Sequence, residues 1–363
     1  MRIAVLLDHW HADGGGLEQY LHHVLPALVD CGHAVALVAR GAERGTPRGV
    51  TPLGLHRGRW LPRPWSDYQE AREAVRRAAS WGADRCWGFR AIPCEDAVWT
   101  PMGGSAPDVQ QARGSAPSRR TRALLKLEQE TLEKAKLVLP MSPMVQRQIA
   151  RRVPDKPQTL LPLPLLQELE VLRRPERQAR GRVGHPIRVV HCGRDPLRHG
   201  AKQAVQWFRA LKGRGLHAEL QLWTKTVAHA ERAIEASASS LREECITVHG
   251  WDGGFRAALG DADLLFHPTL YDSFSLVCLE AAASGVPVVT TPAAGVASLL
   301  PRELCLEVER DVAEVAAATA MELLVAAGSY PKEAWEGMVH AVRSGFALQT
   351  HVERLGEAFR SLE

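Results

Sequence analysis

Two carboxylates with seven residues between them frame the stretch of this chain best equipped for chemistry: Asp272 and Glu280, in Asp272-Ser273-Phe274-Ser275-Leu276-Val277-Cys278-Leu279-Glu280. The apolar run Leu264-Leu265-Phe266-His267-Pro268 ahead of them reads as a buried strand, and the segment behind it as a short helix opening near Ser275. Gly285 stands where a left-handed cap closes such a helix, and Pro287 stops its continuation before the strand Val288 to Thr291. A helix opening directly off a strand's carboxyl end presents backbone N–H groups without intrahelical partners. Here they are those of Ser275, Leu276 and Val277, and they favour a bound phosphate. Glu280, about one and a half turns further in, is placed to meet the hydroxyls of a ribose joined to that phosphate. The arrangement suits a nucleoside diphosphate.

Two other segments carry polar residues at the ends of apolar runs. Gly193-Arg194-Asp195-Pro196-Leu197-Arg198-His199-Gly200 follows the strand-like Ile187 to Cys192, and Arg198 with His199 offers a basic pair for the same diphosphate. An imidazolium at His199 would supply a charge, whereas a neutral ring supplies a single hydrogen-bond donor. A bound diphosphate favours the charged form, so activity is expected to fall above neutral pH, with Lys202 or Lys225 as further cations. Near the start, Gly14-Gly15-Gly16-Leu17-Glu18 joins a strand to a helix. Gln19 takes the place of the third glycine of a dinucleotide fingerprint, and no Lys-Ser/Thr follows as in a Walker loop. His9, His11 and Asp13 precede the glycines. They form a metal-like pattern without an evident third or fourth partner, and His9 and His11 share one face of a strand.

The stretch from Leu264 to Gly295 resembles the acidic-x7-Glu motif of family 4 retaining glycosyltransferases of the GT-B fold, most closely the lipopolysaccharide core glucosyltransferase I group. The resemblance implies that Glu280 binds the donor ribose and that Asp272 faces the donor sugar. Asp272 replaces the usual Glu and is one methylene shorter. Gly15 and Gly16 resemble the family's Gly-Gly-x-Glu loop, where backbone approaches the phosphates too closely for any side chain. Gly193 to Gly200 is similar to its Gly-Arg…Lys-Gly loop, with His199 where Lys is usual. Residues Ala83 to Phe89, Pro93 and Asp96 also resemble the group. Met102 stands where relatives carry Asp or His facing the reacting sugars, and a thioether cannot act as nucleophile, acid or base. A covalent double displacement through that position is therefore excluded, whereas front-side displacement needs no protein nucleophile. The nearby carboxylates Glu95, Asp96 and Asp108 read as solvated loop charges, and the Gly250-Trp251-Asp252 loop is implied to contact the donor's base. His9, His11 and Met102 are the expected acceptor contacts. No metal or cofactor is expected beyond the nucleotide-sugar donor, for which the resemblance favours UDP and glucose.

These residues need a frame, and the pattern supplies one. Ile3 to Asp8 reads as a strand, Leu17 to Leu28 as a helix ended by Gly32, and Ala34 to Val38 as the next strand, which makes a βαβ unit. Further strands are expected near Arg85 to Phe89, Ala97 to Thr100 and Leu137 to Pro140, with a helix from Arg119 to Lys136 between the last two. A second series begins at Ile187. Helices from Ala201 to Leu211 and Ala228 to Leu241 alternate with strands Glu219 to Trp223, Ile246 to His249 and Leu264 to His267. Gln167 to Pro186 reads as a linker. The expected architecture is α/β: two Rossmann-like domains, an acceptor domain over 1–165 and a donor domain over 166–345. A helix over 346–363, notably His351 to Leu362, crosses back to the first.

The chain's 363 residues and 45% apolar composition suit two soluble domains. No apolar run is long enough for a signal-peptide core or a membrane span. Seven cysteines, with no Cys-x-x-Cys, point to reduced thiols and a cytoplasmic protein. Charge is uneven, +7 over residues 1–165 and −3 over the rest. Arg57, Arg59, Arg63, Arg72, Arg76 and Arg77 with Trp60 and Trp65 form one basic group. Arg113, Arg119, Arg120, Arg122 and Lys126 with Leu124 and Leu125 form another. Such groups suit peripheral contact with an anionic membrane or a plain solvated face, and no aromatic-rich basic groove points to nucleic acid. The expectation is a retaining hexosyltransferase acting on a glycan, glycolipid or surface-polysaccharide precursor. A nucleotide-sugar-binding protein without catalysis and a GT-B-fold sugar-nucleotide epimerase are the alternatives.

Overall fold

The structure, a computed structural model, describes the chain except residues 13–14, 56–64, 95–96, 105, 113, 115, 167–185, 251–253 and 363. It divides into two compact units, Met1–Leu166 with Phe346–Glu363, and Gln167–Gly345. The linker expected over Gln167 to Pro186 lies almost wholly outside the described residues, as do Asp13, Gly14, Glu95, Asp96, Trp251, Asp252 and part of both basic groups.

In the first unit the chain runs β1 (Arg2–His9), α1 (Gly16–Asp30), β2 (Ala34–Arg40), β3 (Thr51–Gly54), α2 (Trp65–Trp81), β4 (Arg85–Gly88), β5 (Ala97–Trp99), α3 (Ala106–Ala112), α4 (Arg119–Lys134), β6 (Leu137–Val138) and α5 (Pro143–Arg152). All its strands are parallel, in the order β3-β2-β1-β4-β5-β6. The order explains the residue pattern. Strands covered on both faces carry unbroken apolar runs, and Ile3 to Leu7 and Val35 to Ala39 are buried throughout.

The second unit continues with β7 (Ile187–Cys192), α6 (Ala201–Gly213), β8 (Ala218–Trp223), α7 (Val227–Ile234), α8 (Ala238–Glu243), β9 (Ile246–His249), α9 (Phe255–Asp261), β10 (Leu264–His267), α10 (Leu276–Ala283), β11 (Val288–Thr290), β12 (Cys305–Glu307), α11 (Ala313–Ser329) and α12 (Lys332–Gly345). Its sheet is also parallel, in the order β12-β11-β10-β7-β8-β9. Trp207 and Phe208 of α6, Leu220 and Leu222 of β8 and Phe266 of β10 share one core. Burying a side chain of this size contributes about 1.5–3 kcal/mol.

The final helix, α13 (Leu348–Arg360), belongs to the first unit. Phe359 is fully buried with its ring 5.8 Å from that of Trp87 on β4, and Leu165 N–H donates to Phe346 O at 2.8 Å. His351 bridges Tyr20 Oη on α1 at 2.7 Å and Pro162 O at 2.8 Å. Nδ1–H donates to the carbonyl, and on a neutral ring Nε2 accepts from the tyrosine hydroxyl. Burial pushes its pKa down to about 4.

The helix expected over Ala228 to Leu241 is two helices. Glu235 adopts φ 63, and Ser237 begins a second helix by accepting the N–H of Ser240. A side-chain cap two residues after a left-handed residue outweighs the continuous apolar periodicity. The expected strand Leu137 to Pro140 contracts to Leu137–Val138 for a simpler reason: Pro140 has no N–H to give a neighbouring strand.

Candidate active site

Both sheets have the strand order whose reversal creates a crevice at the carboxyl ends of two adjacent strands: β1 and β4 in the first unit, β7 and β10 in the second. In the second unit the loops leaving those two strands are Gly193 to Gly200 and Pro268 to Ser275. Arg198, His199 and Asp272 are therefore neighbours because of topology, though more than seventy residues separate them.

The two loops touch. Arg198 O accepts from Leu270 N–H at 2.7 Å and Thr269 Oγ1–H at 3.2 Å. Arg310 ties the same loops, donating to Pro268 O and Leu197 O, each at 3.2 Å. Gly200 has φ +78, and a Cβ there would lie 2.1 Å from Pro268 O. A Cβ on Gly193 would lie 2.3 Å from that of His199. Glycine is needed at both positions so that backbone can approach this closely.

Asp272 divides its work between two oxygens. Oδ1 accepts from Ser275 N–H at 3.0 Å and Phe274 N–H at 3.3 Å, folding the loop into the start of α10. Oδ2 lies 3.6 Å from His267 Nε2 and 4.0 Å from His199 Nε2. Burial alone would raise this carboxyl's pKa, but His267, His199 and Arg198 together outweigh it and bring it to about 2. Asp272 is thus a carboxylate at any physiological pH.

Ser275 precedes α10 in a left-handed conformation, φ 71, and its buried hydroxyl donates to Cys278 Sγ at 3.2 Å. A non-glycine residue in that region stores strain that the surroundings must hold, as commonly happens at functional sites. The helix then starts at Leu276; the Ser275 N–H, expected to be open to a phosphate, is instead taken by Asp272 Oδ1, which leaves the N–H groups of Leu276 and Val277 facing the loop end without intrahelical partners. At the other end Gly285 has φ 71. Val286 N–H donates to Ala281 O and Gly285 N–H to Ala282 O, closing the helix with the left-handed glycine expected there.

Glu280 is largely buried on α10, with Oε1 3.8 Å from Arg256 Nη2 of α9. Burial raises its pKa and the guanidinium opposes the rise. Arg256 is a member of this site that sequence reading missed; it follows the Gly250 loop but belongs to no motif. Arg198 completes the group. Its Nη2–H donates to His199 Nε2 at 3.0 Å, while its Nε–H is buried and finds no partner among the described residues. A guanidinium held at one end with an idle buried donor is ready for an anion's oxygen.

The fold disfavours the charged form of His199. Burial, then His267 and Arg198, lower its pKa to about 4, with Asp272 and the backbone of Asp195 opposing. Lys202 Nζ pairs with Glu235 at 2.9 Å on α6's outer side. Two further buried histidines line the two strands: His191 on β7 donates Nδ1–H to Phe266 O at 2.9 Å, and neither ring nitrogen of His267 on β10 lies within hydrogen-bond distance of a partner among the described residues, Nε2 being 3.6 Å from Asp272 Oδ2. The histidine rings lie 6.3 Å (His191–His267) and 5.7 Å (His199–His267) apart.

In the first unit, the end of β1 carries the expected acceptor residues. The His9 and His11 rings stack at 3.8 Å, and burial, with His11 and Arg40, lowers the His9 pKa against the pull of Asp8 and Glu18. Asp8 pairs across the strand reversal with Arg90, beyond β4, at 3.2 Å. Gly15 is the N-cap of α1 and Gly16 its first residue, with open space where a Cβ of Gly16 would project. Met102 is partly exposed in the turn after β5 and donates its N–H to Thr100 O. Asp108 pairs with Arg151 at 3.2 Å. Among the described residues no cluster of three or more His, Cys, Asp or Glu side chains is arranged to hold a metal ion.

Comparison with known proteins decides the family of the second unit. Residues 186–358 match the family model described as glycosyl transferases group 1. The second unit carries a group 1 glycosyltransferase domain. Solved structures match over the whole length. Sucrose-phosphate synthase from Thermosynechococcus elongatus aligns at a TM-score of 0.72 and 20% identity, covering 99% of this chain and 98% of that one. WaaG, a glycosyltransferase involved in lipopolysaccharide biosynthesis, aligns at 0.69 and 15%, covering 99% of each. The lipopolysaccharide outer core galactosyltransferase WaaB aligns at 0.71 and 12%, covering all of both. The chain therefore has the GT-B fold, two Rossmann-like domains each built on one of the parallel sheets described above. No curated protein sequence matches it.

Proposed function

We propose that this group 1 glycosyltransferase is a retaining, metal-independent hexosyltransferase that moves a hexose from a nucleoside diphosphate sugar to a glycan or glycolipid acceptor. The observation that carries the reading is the pairing of Arg198, with its idle buried Nε–H, and the α10 N-terminus on two loops welded together at the strand reversal. Arg198 and the N–H groups of Leu276 and Val277 hold the diphosphate, and Ser275 sets the helix start. Glu280, kept beside Arg256, accepts from the ribose hydroxyls. Asp272 accepts from the sugar's hydroxyls through Oδ2. His199 stands behind Arg198.

In the transfer, the acceptor hydroxyl oxygen bonds to the anomeric carbon on the face that the phosphate leaves. The carbon–oxygen bond to the diphosphate breaks with its electron pair going to phosphate, and the acceptor's proton passes to that same leaving oxygen. No protein nucleophile is required, which Met102 could not have supplied. Preorganised positive charge at the departing diphosphate is the protein's main lever. By the family resemblance, Gly15 and Gly16 are the proposed donor contacts of the first domain, and His9, His11 and Met102 its proposed acceptor contacts. UDP and glucose are the proposed donor parts. The proposed workplace is the cytoplasmic face of a membrane, reached through the basic groups of the first domain, where Arg119, Arg122 and Lys126 are exposed beside Leu124 on α4. Among the described residues no helix is long and apolar enough to cross a membrane.

A metal-free thermal-shift panel of UDP, GDP, ADP and TDP and their glucose and mannose derivatives tests the donor. A ligand at about 100 times its dissociation constant stabilises by about 2.7 kcal/mol, a visible rise. Arg198→Ala and Glu280→Ala should each abolish the rise, and radiolabelled transfer with an α-configured product should follow. No response to any nucleotide would refute the reading. Binding without transfer to any glycan or glycolipid would favour the protein without catalysis.

A further inference from the structure

His199 occupies a position where a cation would be simplest, yet the contacts its ring nitrogens make suit a neutral imidazole. Nε2 accepts from Arg198 Nη2 at 3.0 Å, which requires a bare nitrogen there. Nδ1 faces both Asp195 O at 3.0 Å and Asp195 N at 3.3 Å; with Nε2 bare, the neutral ring carries its proton on Nδ1 and donates it to the nearer carbonyl. These two contacts select one neutral tautomer without reference to any titration. Asp195 in turn has Oδ1 accepting from the N–H groups of Leu197 and Arg198, at 3.2 and 3.1 Å, so the ring is anchored to a turn that is itself fixed. The absence of a side chain at Gly193 lets the imidazole lie against the strand end.

We propose that His199 is a positioning residue, a neutral strut that holds the Arg198 guanidinium against the diphosphate site, and not a phosphate-binding cation. The inference rests on the diphosphate reading of Arg198. The ring is faced by Arg198 and Asp195 from its own loop, by Asp272 from the loop before α10, by His267 from β10 and, further off, by His191 from β7. Asp272 is the carboxylate that would draw a proton to His199, beside the Asp195 carbonyl, and its Oδ2 is nearer to His267 than to His199. Protonating Nε2 would set an N–H against Arg198 and break the contact that orients it. The strut also accounts for a lysine-free loop: a ring wedged between Asp195 O and Arg198 does by geometry what a second charge would do by attraction. It predicts a diphosphate site whose strength does not follow histidine titration.

The test uses the full chain and the nucleotide sugar that stabilises it most in the panel above, since a sugar diphosphate diester does not ionise near neutrality. Histidine-selective nitrogen NMR should show His199 protonated at Nδ1 and bare at Nε2 from about pH 6 to 9, free and bound, whereas an unperturbed histidine titrates near 6.5. The dissociation constant should stay within about threefold over that range. His199→Gln, whose Oε1 can accept from Arg198 without a charge, should bind within about threefold of wild type, and His199→Ala should lose about tenfold, or 1.4 kcal/mol. A His199 that titrates near neutrality in the complex would overturn the proposal. So would His199→Lys binding like wild type while His199→Gln loses about tenfold. Arg198→Ala separates the two levels: if it binds as tightly as wild type, or if no nucleotide sugar binds wild type, the diphosphate reading fails and the strut with it. If Arg198→Ala loses affinity and His199→Gln loses as much, only the strut falls.

Discussion

Gly200→Ala is the sharpest test of whether the site depends on two loops pressed together. Gly200 has φ +78, a conformation that costs alanine about 1–2 kcal/mol. Its Cβ would also stand 2.1 Å from Pro268 O and 2.9 Å from Pro268 C, backbone atoms that cannot rotate away. Relief requires the loops to part, which forfeits the bonds from Leu270 N–H and Thr269 Oγ1–H to Arg198 O. Each is worth about 0.5–1.5 kcal/mol net. The expected loss is about 2–5 kcal/mol in the second domain, with nucleotide-sugar affinity weakened by at least about tenfold, because Arg198 rides on the displaced loop. Gly215→Ala is the control. It has φ +83 but nothing within 4 Å of a Cβ, so it carries the backbone strain alone. Urea unfolding followed by circular dichroism, with calorimetric titration of the nucleotide sugar, measures both terms. Equal losses of stability in the two variants, with affinity unchanged in each, would show that the close approach to Pro268 is not what requires glycine.

Three further outcomes follow from the same geometry. His351, 3% exposed, has a folded pKa of about 4 against 6.5 unfolded, so the unfolded chain binds more protons between those values and stability falls as pH drops through that window. The shift corresponds to about 3 kcal/mol, and His351→Gln should flatten the first domain's acid sensitivity by that order; equal pH slopes for both proteins would sink the assignment. Phe359→Ala should destabilise the first domain by about 3–5 kcal/mol and raise hydrogen exchange throughout α13, while leaving exchange in β7 to β10 unchanged. Asp272→Asn keeps an oxygen for the Ser275 and Phe274 N–H groups but removes the charge, so diphosphate affinity should hold within a few-fold while kcat falls about a hundredfold or more. A full-rate Asp272→Asn enzyme would remove Asp272 from the proposed reaction.

What could be read in the chain beforehand follows from how far each cause acts along it. The α10 segment was legible because its strand, carboxylate, helix start and glycine cap are sequence neighbours, and Gly285 indeed adopts φ 71. The two series of strands and helices were legible because buried parallel strands leave unbroken apolar runs, such as Ile3 to Leu7. Short edge strands carry too few residues to show a period, and β3 and β12 were missed for that reason. The histidine group was out of reach for another. His191, His199 and His267 meet because β7 pairs with β10, and nothing in the local pattern of either strand specifies that partner. The same holds for His351 and Tyr20, which are 331 residues apart.

The protonation state of His199 shows what that distance conceals. Read in line, Arg198-His199 is a basic pair, and a diphosphate should charge the ring. Folded, the ring is enclosed by Arg198, Asp195 and His267, and the one nearby carboxylate is shared with His267. A charge there would have to overcome burial and the adjoining Arg198 guanidinium at once, so the neutral tautomer prevails and positive charge is concentrated on Arg198. One well-held guanidinium with a buried, idle Nε–H is a more directional ligand for an oxygen than two mobile cations. The substitution of histidine for lysine then changes how the site is organised without removing its charge, and activity above neutral pH is the property that separates that view from a weakened site.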